Sequence, residues 1–145
     1  MFTALIHFIL SGLSTIAFGV ITNIPKKTLL AAGFTGACGW VCYYYTHTIF
    51  SSDAFGNFLG ALLIGLLAIF FSRRLKYPTI IFNIPALVPL VPGGPAYQAV
   101  RSLVLDDQSQ TFGYVVKVIV TAGAIAAGFM LTSLAEKKLL RHRVR

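Results

Sequence analysis

Between Tyr77 and Gln98 the chain is apolar enough to lie in a membrane, yet it cannot be one regular helix. Five of the six prolines, Pro78, Pro85, Pro89, Pro92 and Pro95, fall here, with Gly93-Gly94 among them. A proline inside a helix removes an amide donor and clashes with the carbonyl one turn back. In hydrocarbon each carbonyl freed in this way costs several kcal/mol unless protein or water satisfies it. Irregular backbone at membrane depth is tolerated only where it is buried in protein or lines a cavity, which is where transporters hold their solutes. The segment points to transport.

Composition places the rest of the chain in the bilayer with it. The 145 residues are 57% hydrophobic and 11% charged, with a mean hydropathy of +0.80, whereas soluble chains carry about 25% charged residues. The net charge of +8 does not suggest a nucleic-acid partner. Its lysines and arginines sit in short clusters at the ends of apolar runs, Lys26-Lys27, Arg73-Arg74-Lys76 and Lys137 to Arg145, as membrane anchors do. No soluble stretch is long enough to carry a basic stripe. The N-terminal run lacks the basic start and small-residue cleavage site of a signal peptide, and reads as an uncleaved first span.

Apolar runs of about 20 residues, the length that crosses a ~30 Å core, predict five spans in an all-α polytopic bundle forming a single integral membrane domain. They are 2–22, 28–50, 54–72, the broken segment 78–105, and 112–134, followed by a basic tail at 135–145. Ten of the twelve Lys/Arg then fall in cytoplasmic segments and none in an external loop. This predicts a multi-pass membrane protein with its N-terminus out and C-terminus in. A re-entrant fourth segment would put the basic tail outside and is disfavoured.

From Pro78 to Leu105 the fourth segment would be about 42 Å long as a helix, too long for one upright span. The expected form is two half-helices: Ile80 to Val91, a break at Pro92-Gly93-Gly94, and a second half starting with Pro95 at its first position. The N-terminus of the second half would direct free amides toward the membrane interior, an arrangement that favours a carboxylate. The expected solute path comprises Asn83, Pro85, Pro89, Pro92, Gly93, Gly94, Pro95, Tyr97, Gln98, Arg101 and Lys117.

Each of these has a blander reading. Lys117 reads first as snorkelling to the outer interface, and Arg101 is balanced between lining the path and anchoring at headgroups. Asn83 and Gln98 read first as partners for carbonyls freed by the prolines. Tyr97 suits a gate or an interface. His7, His47, Cys38 and Cys42 lack metal-ligand spacing, so no metal or cofactor is expected. Trp40 and Tyr43-Tyr44-Tyr45 read as aromatic belt near the outer interface. Recurrent small residues, such as Gly33, Gly36, Gly39, Gly56 and Gly60, mark close helix packing. No nucleophile–base pair, carboxylate dyad or phosphate loop is visible, so the chain is not read as an enzyme.

Taken together, Asn23-Ile-Pro25-Lys26-Lys27, the glycine-rich second span from Gly33 to Trp40, and Pro89-x-x-Pro92-Gly93-x-x-x-Tyr97 resemble the ThrE threonine/serine exporter family, in its small-subunit, YjjB-like form. Pro95 departs from that pattern. The resemblance implies one half of a split secondary exporter that works with a larger, YjjP-like membrane subunit. It implies small carboxylate-bearing solutes, threonine and serine or succinate-like dicarboxylates, coupling to the proton gradient, and a place in the bacterial cytoplasmic membrane. Alone, such a chain is expected to be inactive, and unstable or homo-oligomeric. The alternatives from other classes are a membrane scaffold or assembly factor and an uncoupled channel. A transporter predicts a water-accessible cavity at the break, and a scaffold predicts dry packing there.

Overall fold

Each long apolar run forms a helix, and the helices end where polar residues take a left-handed turn. In the computed structural model, which describes residues 2–141, six α-helices follow one another: α1 Phe2–Ile21, α2 Leu29–Phe50, α3 Asp53–Leu75, α4 Ile80–Leu87, α5 Gly93–Val104 and α6 Gln108–Arg141. Single 3-10 turns at Lys26–Thr28 and Val88–Leu90 precede α2 and extend α4. Ser52 caps α3, its side chain accepting from the Phe55 amide. Asp107 does the same for α6, accepting from the Gln110 amide at 3.2 Å. These bonds meet amides that a helix start leaves without partners.

Three helical stretches, Thr3–Ile21, Asp53–Leu75 and Gln108–Lys138, are long and apolar enough to cross a membrane unaided. Ile80–Leu90 and Gly93–Val104, bent by 52°, together make a fourth. Helix α2 has the length, 22 residues, or about 33 Å, but a less apolar composition. It is the central helix, packed on α1, α3 and α4, and uses small and hydroxylic residues to meet them. Gly33 lies against Ile16, Gly36 against Thr15 and Gly39 against Ile64. The buried threonines add no unmet donor, since Thr15 and Thr35 bond to Ser11 and Ala31 carbonyls in their own helices. About five crossings result, as expected.

The broken segment departs in detail from the sequence expectation. The helix does not stop at Pro92-Gly93-Gly94. The turn is made by Val91, in extended geometry, and Pro92, at φ −75° and ψ 54°. Gly93 and Gly94 belong to the first turn of α5, and Pro95 is its third residue rather than its first. No glycine among the described residues has positive φ, so the turn needs no glycine. Asn83 and Gln98 do not repair the proline gaps, because neither side chain makes a hydrogen bond among the described residues. The last span is also longer than expected. Helix α6 absorbs the Gln108–Gln110 loop and most of the tail, while Arg143 and Arg145 lie outside the described residues.

Helices α3 and α6 run parallel, Gly128 against Ala61 and Gly65 against Thr132. One end of the bundle therefore carries Asp53, Asp106 and Asp107, and the other carries Lys26, Lys27, Arg73, Arg74, Lys76, Lys137 and Lys138. Between them lies a small apolar core of Ala61, Ile64, Ala86, Leu90 and Ile125.

Candidate functional site

At the acidic end three helices converge on one carboxylate. Tyr43 and His47, one turn apart on α2, face Asp53 across the Ser51 turn. The Tyr43 hydroxyl donates to Asp53 Oδ1 at 3.1 Å, and His47 Nε2 lies 3.1 Å from the same oxygen. From α6, Lys117 Nζ reaches the other oxygen, Oδ2, at 2.6 Å. The Asn57 amide donates to the Asp53 carbonyl at 2.7 Å and holds the α3 start in place. Behind Tyr43, Trp40 Nε1 donates to His7 Nδ1 at 3.2 Å, tying α2 to α1.

This cluster opens on a cavity of about 300 Å³ whose other wall is the break itself, Pro89 to Pro92 with Pro95. Trp40, Tyr43, Asn57, Leu90 and Thr121 complete it. The wall is thus part aromatic, part proline, with one cation and one carboxylate at the same mouth. Lys117 keeps donors to spare, because an ammonium has three and one ion pair uses only some of them. The arrangement suits a small solute carrying a carboxylate, which Lys117 can share between Asp53 and the solute.

A second cavity, of about 500 Å³, lies toward the basic end between α4 and α6, with α3 as its floor. Thr79, Asn83, Leu87, Phe129 and Glu136 line it, and Thr79 Oγ1 donates to Glu136 Oε1 at 2.5 Å. The apolar core separates the two. Along α3 the order is Asp53 and Asn57, then Ala61 and Ile64, then Gly65 and Ile69. Along α6 it is Lys117 and Thr121, then Ile125, then Phe129 and Glu136.

The residues expected to share one solute path are therefore divided. Pro89, Pro92, Pro95 and Lys117 meet in the first cavity, and Asn83 faces the second. Pro85 is buried in the helix between them. Gln98 and Arg101 stand apart, near the far end of α5, in a hollow of about 310 Å³ with Asp107, Gln110 and Tyr114. Tyr97, Gly93 and Gly94 are exposed, and a side chain at either glycine would meet no atom within 4 Å. Asp53, Tyr43, His47 and Asn57 were not expected. The signal for Tyr43 and His47 was their Tyr43-x-x-x-His47 spacing, which puts both on one face of α2. Among the described residues no group of three or more His, Cys, Asp or Glu converges to hold a metal.

The chain matches known proteins over most of its length. The family model described as Threonine/Serine exporter, ThrE, matches residues 7–135. A threonine/serine exporter of Corynebacterium glutamicum is 24% identical over 135 residues, 93% of this chain and 27% of its own length. An uncharacterized protein of Haemophilus influenzae is 27% identical over 114 residues, 79% of this chain and 37% of its own. An uncharacterized protein of Schizosaccharomyces pombe is 27% identical over 104 residues, 72% of this chain and 12% of its own. The chain thus spans between 12% and 37% of the length of these relatives. No solved structure matches.

Proposed function

The chain belongs to the threonine/serine exporter family, ThrE, and on that premise we propose that it is a membrane subunit of a secondary transporter exporting small carboxylate-bearing metabolites. The solutes are threonine and serine or succinate-like dicarboxylates. Its partner is a larger YjjP-like membrane subunit, and the assembly sits in the bacterial cytoplasmic membrane with this chain's N-terminus out and C-terminus in.

One observation carries the reading: two cavities stacked along the same helices on either side of a thin apolar core. Alternating access needs a solute station that can open to one side and then the other across a closed layer. A scaffold needs neither cavity, and the Pro-rich break would pack dry. Here the break forms a cavity wall opposite Lys117 and Asp53. The partner reading is in keeping with the open groove between α4 and α6 and with the greater length of the relatives.

Proteoliposomes loaded with labelled threonine, serine or succinate test the proposal. Chain and partner together should release at least one of these solutes faster than either protein alone. No release by the pair, or full release by this chain alone, would overturn it.

A further inference from the structure

We propose that Glu136, Asn83 and Thr79 form a subsite for the primary ammonium group of a small solute, in the groove between α4 and α6. The inference rests on the exporter reading and narrows its substrate class to amine-bearing solutes.

Glu136 is the single acid at an end that carries Lys26, Lys27, Arg73, Arg74, Lys76, Lys137 and Lys138. Among the described residues it nevertheless forms no ion pair, since both bridges present belong to Asp53. It lies half-buried against the groove, held by the Thr79 hydroxyl at 2.5 Å. A carboxylate withdrawn from water needs a counter-charge or donors. The groove supplies few. The Thr79 hydroxyl is spent on Glu136, Thr132 donates to the Phe129 carbonyl and Ser133 to the Met130 carbonyl. Asn83 adds a side-chain oxygen that is buried and has no hydrogen-bond partner. What the groove offers is mostly acceptor capacity.

A group with several donors and a positive charge completes this set, and an ammonium has both. A second carboxylate would be repelled by Glu136. The remaining wall, Ile69, Leu87, Phe129 and Met130, suits a short hydrocarbon body, and about 500 Å³ holds a small amino acid with water. The Asp53–Lys117 site at the other end is internally neutralised and lacks this bias.

The test uses the full chain in lipid nanodiscs, alone and with the partner, with Cys38→Ser and Cys42→Ser so that Ser133→Cys is the one thiol. Alkylation of that thiol is timed with L-threonine, 1-amino-2-propanol, 3-hydroxybutyrate or succinate present, in sodium and in choline buffers. Threonine and the amino alcohol should slow labelling, and the two amine-free acids should not. Glu136→Gln should raise the half-protecting concentration at least about tenfold, the size of one charge-assisted hydrogen bond, and Glu136→Asp should restore part of it. Asn83→Ala, read in the same way, serves if Glu136→Gln fails to insert. Equal protection by succinate, protection by sodium alone, or threonine protection indifferent to Glu136→Gln and Asn83→Ala would overturn the subsite. If the subsite is overturned in this way while the pair still exports threonine, only the subsite falls. Absence of export by the pair counts against the exporter reading alone.

Discussion

Lys117 on α6 reaches Asp53, the first residue of α3, with Nζ 2.6 Å from Oδ2. The pair joins two parallel helices and sits at the mouth of the cavity that the proline break walls off. It also fixes the register of α6 against α3. Nine residues of α6 precede Lys117, so about 14 Å of helix extends past the α3 start.

The side chains of Lys117 and Asp53 are 49% and 24% exposed, so solvent screens their attraction and its contribution to stability is small. Lys117→Met or Asp53→Asn should therefore cost no more than about 1 kcal/mol in unfolding. Export by the assembled transporter should fall at least about tenfold, as loss of a charge-assisted contact to the solute implies. The exchange Asp53→Lys with Lys117→Asp should recover part of the rate. Wild-type efflux from Lys117→Met would return this lysine to a headgroup anchor.

Not all glycines are alike. Gly93→Ala and Gly94→Ala should be neutral or stabilise by up to about 1 kcal/mol, since both are helical and open to space. At Gly128, by contrast, a Cβ would sit 2.8 Å from the Phe58 backbone oxygen. Gly128→Ala should destabilise by about 1–3 kcal/mol. Thermal unfolding of the detergent-purified variants decides. A large loss at Gly93 would mean that the break is tighter than its geometry indicates.

Leu90 and Ile125 belong to the apolar core between the cavities. Truncating either to alanine should cost about 2–5 kcal/mol and join the two cavities. In an assembled transporter the joined state should pass solute without its driving gradient. Passive flux of labelled threonine into empty vesicles measures this. A core variant that folds and stays tight would place the closed layer elsewhere.

The orientation proposed from the basic clusters predicts which turns face outward. Cysteines at Ser52 and Ser109 should react with an impermeant thiol reagent in intact cells. One at Lys76, the exposed left-handed residue closing α3, should not. The reverse pattern would invert the topology.

The five crossings and the break were legible because apolar length and proline position are local facts. The candidate site was only half legible. Lys117 stood out as a charge inside a span, but its partner Asp53 read as one acid of an external loop, and Tyr43 as interface belt. What joins them is the parallel placement of α3 and α6, which pairs residues 64 positions apart, and no periodicity reports that. Arg101 and Gln98 were misplaced for a related reason. Sequence nearness to the break hid the roughly one and a half to two and a half turns of α5 that carry them away from it. The break was expected at Pro92-Gly93-Gly94, while the actual turn is taken by Val91 and Pro92.

Among the described residues four adopt positive φ: Asn23 at 55°, Ser51 at 51°, Lys76 at 60° and Asp106 at 59°, one at each turn between the spans. None of the thirteen glycines does. A side chain in the left-handed region costs on the order of 1–2 kcal/mol, though asparagine and aspartate tolerate it better. Helix contact, rather than loop geometry, thus claims the residue that would relax these corners. Ser51→Gly and Lys76→Gly should each raise the unfolding midpoint while leaving every cavity-lining side chain in place. The turns are therefore where a more heat-tolerant form of this protein can be engineered for handling outside the membrane.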